Sequence, residues 1–332
     1  MEDLSMHFKI YSRFFFSKLN QDEKNAYETI LNAWLNLEKR VSVKKFNRNI
    51  NFQKVFESII NDTPELFYVV FNSLSAAYGL GFASISVEFS MPNDEIERTK
   101  SKIFAKVQEF KNSVKTKDIE KEIHDYLATN VKYASNTMLP TAHNICGPFL
   151  EGSAVCEGYA RAFKLMCDEM GIPCIMVTGV ATDENITGNH AWNIVRKGKN
   201  NYHVDMTWNS SVYKSSDFPL YYNVSDAFIE KDHTWNKVLF PRCSALGEYE
   251  REIIEVNGKK AFCDAIEKMA LNKKQSFILR FNKQLNLTTN MTTQIENVLK
   301  ERNITSVSSI SFSYLTKDCV RVQFCYGKLY GK

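Results

Sequence analysis

Cys156, His190 and Asp205 are the side chains whose types and order could carry covalent chemistry. They lie in one stretch, residues 152–208, reading GSAVCEGYARAFKLMCDEMGIPCIMVTGVATDENITGNHAWNIVRKGKNNYHVDMTW. A thiol becomes a strong nucleophile when a base takes its proton, an imidazole is that base near neutral pH, and a carboxylate can fix the imidazole's tautomer. Such a set attacks a carboxamide carbonyl and leaves a thioester. Cys156 sits where a helix is expected to begin, and the positive end of a helix dipole favours a negative charge there. Its own backbone N–H is a natural donor to the oxyanion, and the second donor is not legible.

The flanking residues must place these three groups. Gly152 and Ser153 read as a turn feeding the helix, with Ser153 able to cap it. Ala160, Phe163, Cys167 and Met170 recur at helical spacing, while Arg161, Lys164, Asp168 and Glu169 face away; Gly171 and Pro173 end the helix. Residues 174–181 (CIMVTGVA) are apolar and β-branched, hence a buried strand. Residues 190–196 and 202–207 alternate as paired strands around a loop at 197–201. With Arg196 opposite Asn201, Trp192 falls opposite Asp205 and His190 becomes its diagonal neighbour on the same face. A one-residue slip would put His190 and Asp205 on opposite faces. Cys167 and Cys174, by contrast, read as small core residues.

The blocks VCEGYA, GIPC, GNHAWN and YHVDMTW closely resemble the transglutaminase-like superfamily, especially its bacterial protease-like members. The resemblance covers residues 118–235, about a third of the chain, and extends upstream through IHDYLATNVKY and AHNICGPFLEG. It implies an α+β fold with a papain-like core, in which a helix carrying the cysteine packs on an antiparallel sheet. It further implies Cys156 as nucleophile, His190 as base and acid, and Asp205 as orienter. The implied activity is that of a cysteine protease or amidase acting on peptides or proteins; the alternatives are an amine-transferring transglutaminase and a non-catalytic interaction domain. VSDAFIEKDHTW resembles the end of the same domain, where His233 lies too far along the chain to be the base.

Acylation is common to hydrolysis and amine transfer, so the three residues do not separate them. Residues 182–189 (TDENITGN) and 209–217 (NSSVYKSSD) are polar and read as loops, which leaves water access to the thioester and favours hydrolysis. Asn144, Asn189 and Trp192 are candidates for lining the cleft, and His143 is read as a loop histidine that could reach it. The mechanism needs no metal or organic cofactor. The eight cysteines form no CxxC pair, which argues against a structural zinc site and against peptide N-glycanases, relatives that carry one. No EF-hand-like acidic loop is present, although animal-type transglutaminases use calcium.

Composition sets the outer bounds. The chain has 332 residues, 44% of them hydrophobic, enough for a sizeable core and about two domains by length. Its net charge is only +4, from 42 basic and 38 acidic residues, and no basic block is interleaved with stacking aromatics. Nucleic acid is therefore not an expected partner, and the basic run at 39–48 (KRVSVKKFNR) reads as a solvated helix end or loop. No membrane-length apolar run and no signal-peptide pattern occurs, so the chain as given reads as cytoplasmic. A secreted or cell-surface protein trimmed of its leader would read the same.

Three regions are expected. Residues 1–115 form a helix-rich N-terminal domain, with Asn20 capping a helix that contains Ala26, Ile30, Leu31, Trp34 and Leu37. A further helix is expected at 52–60, an ambiguous apolar stretch at 66–74, a strand at 81–89 and a helix from Pro92 to Val114. Residues 116–250 form the transglutaminase-like domain. Residues 251–332 form a small α+β accessory domain, with helices at 260–271 and 292–302 and strands at 276–281, 307–313 and 320–326. The oligomeric state is not legible.

Overall fold

The computed structural model describes residues 8–44, 50–79, 81–183, 186–282 and 290–327. A short helix α1 (Phe14–Ser17) leads into α2 (Gln21–Leu35), which Asn20 and Glu23 close with a reciprocal capping box. Next come β1 (Arg40–Lys44), α3 (Phe52–Asp62), β2 (Val69–Gly79), β3 (Phe82–Phe89) and the long α4 (Asn93–Ser113). The three strands form an antiparallel sheet in the order β1-β3-β2. The ambiguous stretch at 66–74 is thus largely strand. Part of the basic run expected as helix end or loop is β1, because pairing to the edge of β3 overrides its polar composition; residues 45–49 lie outside the described residues.

The middle of the chain holds α5 (Ile119–Asn130), β4 (Lys132–Tyr133), β5 (Ser153–Ala154), α6 (Cys156–Glu169), β6 (Cys174–Asp183), β7 (Ile186–Lys197), β8 (Asn200–Val204), α7 (Met206–Ser216), β9 (Tyr222–Val224), α8 (Asp226–Ile229) and β10 (His233–Trp235). The strands from β6 onward make an antiparallel sheet in the order β10-β6-β7-β8-β9. Helix α6 lies against β6 and β7, the papain-like α+β arrangement of a cysteine helix on a sheet. Cys167 and Cys174 are fully buried beneath it.

The outer face of α6 departs from expectation. Arg161, Lys164, Asp168 and Glu169 are all buried. The backbone of the first described segment lies over them. Lys9 N donates to Glu169 Oε1 at 2.7 Å, Ser12 N to Asp168 Oδ1 at 3.1 Å, and Lys164 Nζ to Asp168 Oδ2 at 2.8 Å and to the Ser12 carbonyl at 3.0 Å. Arg161 Nη1 reaches the Ile60 carbonyl at 3.0 Å. Every buried charge on this face therefore has partners, as burial requires. One apolar cluster likewise runs from Phe8, Trp34 and Ile59 to Phe163, Cys167 and Val204.

The last part of the chain contains β11 (Ile253–Val256), α9 (Lys259–Leu271), β12 (Ser276–Phe281), α10 (Met291–Glu301), β13 (Val307–Tyr314) and β14 (Cys319–Tyr326). Its sheet has the order β11-β12-β14-β13, with β11 and β12 parallel across α9. Phe262, Ile266, Leu279, Ile295 and Phe324 fill its core. Ile278, Leu315 and Cys319 pack instead with Trp192, Tyr221 and Phe228 of the preceding region. Among the described residues no helix is long and apolar enough to cross a membrane.

Candidate active site

Cys156 opens α6. The N-cap position is Val155, in extended conformation and with no side-chain cap, so Ser153 does not cap the helix. Ser153 is instead part of β5, which pairs in parallel with β4. The backbone approach to Cys156 is held by Val155 N, which donates to the Ala142 carbonyl at 3.0 Å. Gly158 makes this packing possible, because a Cβ there would lie 2.3 Å from the same carbonyl oxygen. Gly158→Ala is expected to lower stability by about 1–3 kcal/mol and to displace the start of α6. Urea unfolding of the variant measures the first effect.

The hairpin has the predicted register. Arg196 pairs with Asn201, Lys197 with Asn200, and Asn193 with Val204, so Asp205 follows β8 beside His190. His190 Nε2 and Asp205 Oδ2 are 2.7 Å apart. Cys156 lies near enough to the imidazole to favour its protonated form. Asp205 is fully buried and also opens α7, with Oδ1 accepting from Thr207 N at 2.9 Å and Trp208 N at 3.2 Å. The stretch 209–217 read as a polar loop is thus mostly α7, its serine-rich sequence held helical by this cap and by packing on α5 and α6. Described residues of 182–189 likewise extend β6 and β7, with Asp183 opposite Ile186.

Charge explains why these groups sit so close. Burial disfavours the His190 imidazolium, but the Asp205 carboxylate and the Cys156 side chain outweigh it and lift His190 to about 10. Burial also opposes the Asp205 carboxylate, yet His190 and then His233 hold it well below the ordinary range. Two aromatic rings flank His190. Trp192 is stacked on His190 at 5.9 Å and donates its Nε1 hydrogen to His203 Nδ1 at 3.0 Å; Trp208 lies 6.0 Å from the His190 ring centre. A cavity of about 640 Å³ opens beside Trp208, lined also by Thr182, Asp232, Arg280 and Asp318.

The remaining candidates separate. His143 is exposed and pairs with the Thr137 carbonyl at 2.8 Å and with Glu157 at 3.3 Å, away from His190. Asn144 stabilises the turn before Cys156, accepting from Cys146 N at 2.8 Å and donating to the Pro140 carbonyl at 3.2 Å. Asn189 is exposed on β7. Two residues enter that sequence reasoning did not select. Tyr133 has its phenol pushed up by burial first and then by the charges of Cys156 and Asp205. His233, set aside by chain order, brings Nε2 to 3.0 Å from Asp205 Oδ2, because β10 pairs with β6 beyond His190. Its only sequence signal was the flanking Asp232 and Trp235.

Among the described residues, two groups bring metal-capable atoms within 4.8 Å of one another: His190, Asp205 and His233, and His203, Asp226 and Cys243. In the first, both Nε2 atoms point their hydrogens at Asp205. In the second, His203 Nε2 is 2.9 Å from Asp226 Oδ1, and burial pushes the Cys243 thiol well up. Hydrogen bonding satisfies the histidine and carboxylate in each group, and neither is read as a metal site.

Residues 105–206 match the family model described as the transglutaminase-like superfamily. No curated protein matches the chain. Among solved structures, a candidate cysteine protease from Cytophaga hutchinsonii is similar at 17% identity, over 40% of this chain and 61% of that one, with a TM-score of 0.28. A TGase is similar at 12% identity over 51% and 50%, with a TM-score of 0.30. Menin, in a structure that reveals its binding site for the Mixed Lineage Leukemia (MLL) protein, is similar at 15% identity over 66% and 45%, with a TM-score of 0.26. The chain therefore spans less than two thirds of each of these structures. The match at 105–206 thus marks a transglutaminase-like domain in this segment of the chain.

Proposed function

We propose that the protein is a cysteine protease or amidase that acts on peptide or protein carboxamides, with Cys156, His190 and Asp205 as its catalytic set. The observation that carries this reading is the His190 ring, held at 2.7 Å by a buried carboxylate on Nε2 and raised in proton affinity by that carboxylate and by the nearby Cys156. His190, lifted to about 10, already holds the proton when the Cys156 sulfur bonds to the carbonyl carbon and the C=O electron pair moves onto oxygen. The Cys156 N–H, free at the helix start, receives the oxyanion. Collapse breaks the C–N bond, His190 gives its proton to the leaving amine, and a thioester remains. Water then attacks the thioester as His190 takes a proton from it, and the acid leaves. Asp205 keeps the Nε2 hydrogen of His190 directed at itself, which leaves Nδ1 to exchange the proton with sulfur.

Trp208 gives the amine-transfer reading its support, since a ring beside the base shields the thioester from water, and the polar segments expected as loops are helix and strand. The acceptor is therefore the point to test. Incubation with a peptide library, with and without a millimolar primary amine, is expected to yield cleaved acids in both cases. Amides as the main product at modest amine concentration would make the protein a transferase. No product under either condition, with Cys156 inert to alkylation, would leave an interaction domain.

A further inference from the structure

We infer that His233 is a positioning residue: held as an imidazolium between Asp205 and Asp232, it fixes the Asp205 carboxylate and tempers that carboxylate's hold on the proton of His190. This rests on the Cys156–His190 reading above. The geometry supplies the charge. His233 Nε2 is 3.0 Å from Asp205 Oδ2 and Nδ1 is 2.6 Å from Asp232 Oδ1, with the ring 1% exposed. A neutral imidazole has one N–H, so only the doubly protonated ring satisfies both carboxylates. Burial opposes that form, but the two carboxylates still raise His233 above its ordinary value.

Each neighbour of the ring has a defined part. Asp205 reaches it from the end of β8, and Asp232 precedes its own strand. His190 on β7 lies 5.2 Å away, ring to ring. His203 on β8 also feels the His233 charge, and burial first of all depresses it, so it adds no competing cation. Trp208 covers one side at 4.6 Å. Asp232 is itself held by the Tyr221 hydroxyl at 2.8 Å and by Arg280 Nη2 of β12 at 3.3 Å, while Arg280 Nε donates to Asp318 at 3.0 Å. His190, Asp205, His233, Asp232, Arg280 and Asp318 thus form a row of alternating charge from the base to the C-terminal region. The sign at His190 follows directly. A positive charge on the far side of Asp205 makes protonated His190 less favourable, so its removal must strengthen the hold on the His190 proton.

The test uses the full chain and iodoacetate. Thiolate displaces iodide to give a thioether, and this anionic probe is drawn by the His190 imidazolium, so the rate falls when His190 loses its proton. Peptide mass identifies the adduct at Cys156. In His233→Gln, which keeps a donor toward Asp205 but carries no charge, the falling alkaline limb is expected to move upward by roughly one pH unit. Asp232→Asn keeps the ring but removes the carboxylate that holds its second proton, and is expected to move the limb in the same direction by less. It carries the test if His233→Gln does not fold. A limb that stays in place or moves down in a folded variant would reduce His233 to a packing residue. Were wild-type Cys156 to alkylate no faster than exposed Cys325, or to show no alkaline limb, the Cys156–His190 reading would itself fail and take this inference with it.

Discussion

Replacement of Cys156 by alanine is expected to lower turnover by roughly 10⁴- to 10⁶-fold while the fold is retained. The thiol is half-buried, and its apolar neighbours Ala160, Met176 and Ala191 are small or flexible, so loss of its sulfur leaves little to collapse. The thermal midpoint should move by no more than about 3 °C. His190→Ala should match the loss in turnover, because a thiol without its base and a base without its thiol both leave the acylation step undone. The double variant should then be no worse than either single one, as for residues that act as a unit. The measurement is product release from the peptide library, compared with wild type. Additive losses, with the double variant far below both singles, would mean that Cys156 and His190 serve separate steps, and residual wild-type turnover in Cys156→Ala would place the nucleophile elsewhere.

Much of this arrangement was legible because it is local. The start of α6, the apolar stripe through Phe163 and Cys167, and the strands on either side of Lys197 follow from periodicity and turn chemistry. Once the hairpin register is set, the pairing of His190 with Asp205 follows from the alternation of side chains along paired strands. The misreadings are long-range. Periodicity marks the face of α6 that carries Lys164 and Asp168 as polar, but cannot say that the backbone of residues 9–12 covers it. The serines of α7 look like loop residues until Asp205 caps the helix. His233 was set aside as the base on chain order. What the sequence could not supply was the β10–β6 pairing that carries His233 to the far side of Asp205.

Asp205→Asn is expected to reduce turnover by roughly 10⁴-fold, through the wrong imidazole tautomer, and to cost about 3 kcal/mol of stability as well. The second effect arises because both carboxylate oxygens are saturated with donors. Oδ2 receives His190 and His233, and Oδ1 receives Thr207 N and Trp208 N. Whichever way an amide is turned, its NH₂ group faces two donors in a site with no water access, and the N-cap of α7 or the hold on His190 is lost. The pH dependence separates this from ordinary loss of packing. Asp205 is depressed in the folded protein, so its stabilisation is present above the unfolded value of about 4 and disappears as the solution is acidified. His190 is raised to about 10, so its stabilisation is complete below about 6.5 and is lost as pH rises through 10. Both describe the same ion pair and count once. The gap in thermal midpoint between wild type and Asp205→Asn should therefore be widest between about pH 4 and 6.5 and should narrow toward pH 10. A gap constant across that range would show that the buried pair contributes shape alone, and that His190 does not owe its proton to Asp205.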